Sequence, residues 1–375
     1  MKKVLAGCVI LMTLATAARG QETPAPKESQ DAQETTTLTA RATLVLVPTL
    51  VTTKAGAPVY TLKADDFVVT DDGVPQKVTL EENLDGEPMA LVVVVQTGGP
   101  AAQQLDKYRR LGTMVEAMVG GVPHKVAVVD FDSEPALRLG FTDNLDKVGD
   151  TIANLEPGDG GGAIFDGVGF ALKMLRKQPS TYRRAVLLIS ETVDHGSKLS
   201  AADALKTISD TNTAIYSVAF SSSRSELKRD SAANLPHSGG DVDPGPPGGC
   251  MAKDPDKADD PTQTKAKQVM DCAGVLLPPL LLAKAAVTAA MNGFRRNVPE
   301  TVARVSGGEY FKFSGEKALE QDLARLSNHV GNRYILSFHP QTPHAGFHAI
   351  GVTMTDYNNL RVSARNGYWF DAEPQ

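Results

Sequence analysis

The stretch Leu91–Pro100, LVVVVQTGGP, decides the fold of this 375-residue chain. Its first half, Leu91–Val95, is a continuous apolar run of the kind found in strands buried on both faces of a mostly parallel sheet. The run stops at the polar turn Gln96–Pro100, and a helix-like stretch follows. Ligands of open α/β sheets bind at the carboxyl ends of such strands, so a functional site is expected at this turn. The turn carries no carboxylate, no pair of hydroxyl groups and no basic residue.

Strands and helices alternate around this stretch, from residue 89 to residue 330. The predicted strands are His124–Phe131, the edge strand Pro135–Phe141, Arg184–Ser190, Thr213–Phe220 and Glu309–Phe313. The predicted helices are Ala101–Val119, Asn144–Leu155, Ile164–Lys177, Ser200–Thr211 with Ser200 as its N-cap, a helix from about Leu280 towards Val305, and Gly315–Val330. This alternation predicts a Rossmann-like three-layer α/β domain, with a mostly parallel sheet and helices on both of its faces.

Both ends of the chain predict β structure instead. Residues 38–88 contain short alternating runs, and Asp71-Asp72-Gly73 between two of them is a hairpin signal. Residues 331–375 predict the strands Arg333–Phe338, His348–Thr355 and Asn359–Trp369. Since these strands flank one α/β core, we expect the N- and C-terminal segments to associate into one β unit.

The first twenty residues resemble an export signal. Lys2 and Lys3 form a basic start, Val4–Thr16 is apolar, and Ala18-Arg19-Gly20 offers small residues for cleavage. The apolar stretch is too short to span a bilayer. An acylation box around Cys8 is disfavoured, because it precedes most of the apolar stretch. The mature protein is therefore predicted to be periplasmic or extracellular, with residues 21–37 as a disordered linker.

Residues 221–267 interrupt the alternation with many prolines, glycines and aspartates, and they read as an exposed insertion. Beyond Cys8, the chain has only Cys250 and Cys272. In an exported chain these two most simply form a disulfide, and two separate thiols are the alternative. A metal site built on them is disfavoured, because neither has a CxxC or CxxH neighbour.

Composition excludes several classes of partner. The chain is 42% hydrophobic and 22% charged, as in ordinary globular proteins, and its net charge is −6. This charge gives no electrostatic reason to expect nucleic acid or anionic lipid. No GxSxG or Ser-x-x-Lys motif is present, and no free cysteine lies near a histidine, so the sequence predicts no enzyme activity.

The order of elements from Met89 to Val330 resembles a von Willebrand factor type A (VWA) domain. The flanking segments resemble the VWA-related proteins common in Acidobacteria, through LVPTLVTTKAGAPVYTLKADDFVVTDDGVPQKVT ahead and RYILSFHP and LRVSARNGYW behind. The resemblance implies a metal-ion-dependent adhesion site at the carboxyl edge of the sheet. There Asp-x-Ser-x-Ser, a Thr and an Asp would supply the hard oxygens that Mg²⁺ prefers.

The ligand positions that the resemblance assigns carry unsuitable residues. The Asp falls on Gln96, and the two Ser fall on Gly98 and Pro100. The Thr falls on Gly162, and the last Asp is lengthened to Glu191. Glu191, even helped by Asp194, supplies too few fixed oxygens for Mg²⁺, so this degenerate site is predicted to bind no metal.

Four other groups of residues were weighed and given structural interpretations. The GxGxxA-like segment Gly158–Ala163 follows a predicted helix rather than a strand, which favours a helix-entry loop over a nucleotide site. Asp130, Asp132 and Glu134 are interpreted as a solvated strand end. His339, His344 and His348 are interpreted as ordinary turn residues rather than as a shared transition-metal site. The aspartates of the insertion are interpreted as a solvated segment, because they lack EF-hand spacing: Asp241, Asp243, Asp254, Asp256, Asp259 and Asp260.

The sequence thus predicts an exported, non-enzymatic protein-binding or adhesion-type module without a cofactor. A protein or peptide partner would contact a ligand face at the carboxyl edge of the sheet, helped by open helix N-termini. The predicted face consists of Gln96, Thr97, Gly98, Gly162, Glu191 and Asp194. A metal-dependent (Mg/Ca) adhesion module and a structural envelope scaffold remain alternatives.

Overall fold

The computed structural model describes residues 44–81, 86–108, 111–119, 121–220, 279–341, 343–355, 357 and 359–371. Among these residues lie fourteen strands and seven α-helices. The strands are β1 (Val45–Thr53), β2 (Phe67–Asp71), β3 (Val74–Gln76), β4 (Thr79–Leu80), β5 (Met89–Gln96), β6 (His124–Phe131), β7 (Pro135–Thr142), β8 (Arg183–Glu191), β9 (Thr213–Phe220), β10 (Tyr310–Lys312), β11 (Tyr334–Phe338), β12 (Gly346–Met354), β13 (Leu360–Ala364) and β14 (Gly367–Phe370). The helices are α1 (Leu111–Val119), α2 (Leu145–Ala153), α3 (Ile164–Arg176), α4 (Ala201–Ser209), α5 (Pro279–Arg296), α6 (Val298–Ser306) and α7 (Glu316–Val330).

The central sheet has six strands in the order β10-β9-β8-β5-β6-β7. Its pairs are parallel except for the edge strand β7, which runs antiparallel to β6. Strand β5 is central, and all eight of its residues are buried, as its apolar run predicts. The direction of strand succession reverses between β5 and β8, which places the crevice of an open α/β sheet at their carboxyl ends.

Helices cover both faces of this sheet. Apolar side chains of α1, α2 and α7 form a core on one face with the odd-numbered residues of β5, such as Leu91 and Val93. Helices α3 to α6 pack on the other face against Val92 and Val94. The predicted three-layer α/β fold is therefore confirmed.

The structure divides two of the predicted helices into shorter elements, which their periodicity does not reveal. The stretch predicted as one helix over Ala101–Val119 is a 3-10 helix, Gly99–Tyr108, followed by α1. The helix predicted from about Leu280 towards Val305 breaks at Asn297, whose backbone is extended. The Asn297 side chain accepts a hydrogen bond from the Glu300 amide, and Pro299 in the first turn cannot continue the preceding helix.

The remaining strands form two four-stranded sheets, β13-β1-β11-β4 and β14-β12-β2-β3, which we call the β unit. Each sheet pairs strands from both ends of the chain, and a shared apolar core includes Val47, Phe67, Leu336 and Tyr368. The association expected of the terminal segments is thus present.

Two local features of the β unit follow from its turns. The predicted hairpin turns at Asp72 and Gly73, which have φ values of 49° and 82°. The single strand predicted over Asn359–Trp369 is two strands that belong to different sheets. Arg365 lies at the break, where its buried guanidinium bonds to the Gly367 carbonyl and to Asn212 Oδ1.

Several predictions lie outside the described residues. They concern the export signal (1–20), the linker (21–37), the insertion (221–267) and the pairing of Cys250 with Cys272. The proposed domain boundaries likewise stay predictions. Within the described part of the chain, every helix is too short or too polar to cross a membrane.

Candidate functional site

A hydrogen-bonded pair of side chains fills the carboxyl ends of β5 and β8. Gln96 Nε2 donates to Glu191 Oε1 at 3.0 Å, and the Glu191 amide donates to Gln96 Oε1 at 2.9 Å. The Gln96 amide also donates to the Gly98 carbonyl at 3.3 Å. Both side chains have 0% exposure. The carboxyl ends of β5 and β8 are therefore joined by these two residues.

Gly162 lies against this pair. A Cβ at Gly162 would lie 2.7 Å from Gln96 Nε2 and 3.1 Å from Glu191 Oε1, so the pair occupies the space that a side chain would need. Reciprocal backbone hydrogen bonds with His195, of 2.8 and 3.1 Å, hold Gly162 in place.

Thr97 and Gly98 are also committed to internal contacts. The Thr97 amide and hydroxyl both donate to the Phe131 carbonyl, at 2.8 and 3.3 Å. A Cβ at Gly98 would lie 2.3 Å from the Gly161 carbonyl oxygen and 2.6 Å from Asp132 Cβ. Only glycine fits this position, because backbone atoms cannot withdraw as a flexible side chain can.

Asp194 caps a helix. Its Oδ1 accepts from the Phe165 amide at 3.1 Å, in the first turn of α3, whose own N-cap residue Ala163 has no capping side chain. The Asp166 amide of the same turn donates to Ser197 Oγ. These two backbone donors at the N-terminus of α3 therefore already have partners within the chain.

His195 is a further member of this site, outside the predicted ligand face. Its Nε2 lies 3.5 Å from Glu191 Oε1, and its side chain is 13% exposed. It thus stands between the buried carboxylate and the surface. The spacing of four residues from Glu191 across a loop gives no periodic signal, so only the fold brings the two side chains together.

The residues at the five resembling ligand positions do not fit an octahedral Mg²⁺ ion. Mg²⁺ requires several oxygens at about 2.0–2.1 Å in near-ideal geometry. Here positions 98, 100 and 162 are glycine or proline, and Gln96 directs its amide nitrogen at the one carboxylate, Glu191. In this arrangement the Glu191 carboxylate accepts a hydrogen bond from an N–H group.

The structure brings the predicted ligand face together but does not expose it. Gln96, Thr97 and Glu191 are 0–1% exposed, and Gly98 and Gly162 are buried. The prediction of a surface made of these side chains therefore needs correction. The accessible groups lie around them in three loops, and we call this set the rim: Ser133, Glu134, Glu156, Asp159 and Lys198.

Carboxylates tie the rim loops together. Asp159 Oδ1 accepts from the amides of Ser133 and Gly161, at 3.1 and 2.7 Å. Asp132 Oδ2 accepts from the Asp159 amide at 3.1 Å. The segment Gly158–Ala163 runs between helices α2 and α3, in agreement with a helix-entry loop. These bonds give the rim a defined shape.

Asp130 is not part of a solvated strand end. It is 2% exposed, and the Arg138 Nε donates to its Oδ1 at 2.8 Å. The hydrogen bond and the charge of Asp130 raise the pKa of Arg138. Asp130 therefore holds the edge strand β7, whereas Asp132 and Glu134 follow in the turn.

A second cluster of polar side chains lies in the β unit. His348 in β12 is 1% exposed, and its Nδ1 lies 3.0 Å from Asp71 Oδ1 and 3.1 Å from Asp72 Oδ2. His344 Nε2 lies 2.9 Å from the same Asp72 oxygen. Burial lowers the pKa of His348, but hydrogen bonds to Asp71 and Asp72 outweigh burial and raise it to about 10. The interpretation as ordinary turn residues is wrong for His344 and His348, while His339 is exposed and outside the cluster.

Comparison with known proteins supports the family resemblance. Residues 93–194 match the sequence profile of the von Willebrand factor type A domain. No match to the chain was found among curated proteins.

Three of the similar solved structures come from bacterial proteins. The vWF domain of the type V pili tip protein Mfa5 from Porphyromonas gingivalis is 21% identical over 29% of this chain and 39% of that chain, with a TM-score of 0.25. The chain thus spans less than half of that domain. An aerotolerance-related membrane protein from Bacteroides fragilis is 13% identical over 64% of this chain and 98% of its own, with a TM-score of 0.36. BatB from Bacteroides thetaiotaomicron is 14% identical over the same shares, with a TM-score of 0.34.

These TM-scores are too low to support a relationship. The assignment to the family therefore rests on the sequence match of residues 93–194. The matched residues run from the middle of β5 to the loop after β8, and they include the crevice described above. The chain therefore carries a von Willebrand factor type A domain.

Proposed function

We propose that this protein is an exported, non-enzymatic module that binds a protein or peptide without a metal ion at the crevice. Domains of this type are generally interaction or adhesion modules. The observation that supports metal independence is the Gln96–Glu191 pair. It uses the only carboxylate among the five resembling ligand positions to accept an amide hydrogen bond.

The contact surface in this proposal is the rim. Its loops are linked by hydrogen bonds that backbone amides donate to the carboxylates of Asp132 and Asp159. Such cross-linked loops lose little conformational freedom when a partner binds, which favours affinity. The exposed side chains include Glu134, Glu156 and Lys198, so charged groups of a partner would set its orientation.

The proposed location is the periplasm or the cell exterior. It is supported by the basic residues Lys2 and Lys3 ahead of the apolar stretch Val4–Thr16. Detection of the protein in the periplasmic or culture fraction, cut near Gln21, is the expected outcome. Retention of the full-length chain in the cytoplasm would contradict this location.

The experiment for partner binding is capture from envelope extract by the immobilised protein, with and without EDTA. We predict that Glu156→Lys, a charge reversal on the rim, lowers capture about tenfold. Glu116→Lys on α1 is the matched control, because it reverses an equally exposed glutamate outside the rim. Capture should be the same with and without EDTA.

Three results would change the proposal. Capture that EDTA abolishes would favour a metal-dependent adhesion module. Capture that both variants leave intact would favour a structural scaffold, in which the rim has no binding role. Turnover of substrate in a broad hydrolase screen would contradict the non-enzymatic assignment.

A further inference from the structure

We propose that Asp72, His344 and His348 form a binding site for a divalent transition-metal ion, with Zn²⁺ as the representative case. The site lies in the β unit, outside the VWA crevice. Each of the three residues offers one ligand atom, and these atoms lie within 4.8 Å of one another. Two imidazoles and one carboxylate are a ligand set that suits zinc and its neighbours better than Mg²⁺ or Ca²⁺.

The backbone fixes the carboxylate of Asp72. Asp72 sits at the tip of the β2–β3 hairpin with a positive φ of 49°. Its amide donates to the Ala349 carbonyl at 2.8 Å, and its Oδ1 accepts from the Ala349 amide at 2.9 Å. Oδ2 is therefore directed at the two histidines, while Oδ1 is held by β12.

Backbone carbonyls engage the outer nitrogen of each imidazole. His348 Nε2 lies 2.8 Å from the His344 carbonyl oxygen, and His344 Nδ1 lies 3.1 Å from the Ala345 carbonyl oxygen. His348 Nε2 also lies 3.3 Å from the His344 amide, so its role depends on the tautomer. In the tautomer that would bind an ion, these outer nitrogens carry the proton and the inner nitrogens present lone pairs. Histidines that bind metals commonly donate their second N–H to a carbonyl in this way.

The inner nitrogens meet at the same carboxylate oxygen. His348 Nδ1 and His344 Nε2 lie 3.1 and 2.9 Å from Asp72 Oδ2. Ligand atoms at about 2.0–2.2 Å from a tetrahedral zinc ion stand roughly 3.3 Å apart, so these spacings need little expansion.

Charge balance also favours a dication. Asp71 and Asp72 are each 4% exposed, and they are adjacent in sequence. In the metal-free chain His348 lies against both carboxylates. A divalent ion that takes the place of the His348 proton would compensate both of them. Tyr368 donates its hydroxyl to Asp71 Oδ2 at 2.9 Å and so supports the neighbouring carboxylate. The fourth ligand position would fall to water or to Asp71.

One movement is required on binding. The rings of His344 and His348 are stacked, with centroids 3.9 Å apart and planes inclined by 16°. A single ion cannot lie in two parallel ring planes at this separation. His348 is also stacked on Tyr368, whereas the His344 side chain is 32% exposed. His344 is therefore the ring that turns, and it marks the path by which the ion enters.

The test is calorimetric titration of the metal-stripped full chain with ZnCl₂. We expect saturable binding of one ion per chain, and we expect His344→Ala to weaken it at least about tenfold. His339→Ala removes an exposed histidine outside the cluster and should bind as the wild type does. No saturable Zn²⁺ binding, or equal binding by His344→Ala, would overturn the proposal and leave the cluster as an ion-pair network.

A second measurement does not depend on the stability of the variant. Co²⁺ added to the wild-type chain reports its ligands through visible absorption. Bands typical of nitrogen and oxygen ligands in tetrahedral geometry would support the proposal. A thiolate-to-metal charge-transfer band would place the ion on the cysteines and overturn the assignment.

Discussion

At the scale of single residues, the lengths of Gln96 and Glu191 let the two side chains close the crevice. Gln96 is one methylene longer than the asparagine analogue of an aspartate, and Glu191 is longer than aspartate by the same amount. The added length lets the two side chains meet across the strand ends at 3.0 Å. The glycine at position 162 leaves room for them, because a Cβ there would lie 2.7 Å from Gln96 Nε2.

Adding a side chain at position 162 should destabilise the fold. We predict that Gly162→Thr lowers the free energy of unfolding by about 1–3 kcal/mol, because it displaces the buried Gln96 amide from Glu191. Gly160→Thr is the control, since a Cβ at Gly160 has no atom within 4 Å. Its effect should stay within about 0.5 kcal/mol. Urea unfolding measures both, and equal stability of the two variants would contradict the packing described for Gln96.

At this scale the sequence identified the positions of the crevice residues but not their burial. The resemblance to the VWA family implied that Gln96, Gly162 and Glu191 lie together at the carboxyl edge of the sheet. It did not predict their burial, which depends on how two side chains pair across 95 residues of sequence. The Asp72–His344 contact spans 272 residues, and no local pattern signals it.

At the scale of elements, a buried ion cluster joins the end of α7 to β10. Glu309 accepts from Arg333 at 2.8 Å and lies 2.9 Å from His329 Nδ1. Burial raises the pKa of Glu309, but the hydrogen bond from His329 and the charge of Arg333 outweigh burial, so the pKa lies below its ordinary value. Arg333 also stacks over the Tyr216 ring of β9 at 5.2 Å.

This cluster should make stability depend on pH at the acidic end. Because the folded pKa of Glu309 is below 4.5, the unfolded chain binds more protons as the pH falls. The stabilisation is therefore complete above the unfolded pKa and is lost as the pH falls through the folded one. We predict that the wild type loses more stability than Glu309→Gln as the pH falls from about 5.5 to about 3. Urea unfolding over this range checks it, and parallel curves would show that Glu309 does not contribute.

Most elements were predictable because their patterns are local. The strands His124–Phe131 and Thr213–Phe220 have the predicted bounds, since buried parallel strands are continuous apolar runs between polar turns. The wrong predictions concern three elements that the structure divides, near Tyr108, Asn297 and Arg365. The breaks at Asn297 and Arg365 involve specific side-chain bonds to distant or neighbouring backbone, which hydrophobic periodicity does not encode.

At the scale of the whole molecule, the six-stranded sheet is accompanied by a second unit built from strands of both ends of the chain. Strand β1 pairs with β11 and β13, and β2 pairs with β12, so the two ends of the chain build the β unit together. The proposed zinc site lies within this unit at the β2–β3 hairpin. The molecule thus offers two separate places for chemistry, a rim for a protein partner and a histidine cluster for an ion.

We propose that the Gln96–Glu191 pair fills the crevice in place of a metal ion. Titration of the full chain with Mg²⁺ and Mn²⁺, followed by calorimetry, tests this claim most directly. Glu191→Gln serves as the matched variant, because it removes the carboxylate and keeps the size of the side chain. We predict that Glu191→Gln changes the binding of neither ion, because the crevice holds none. Micromolar binding by the wild type that Glu191→Gln abolishes would contradict it.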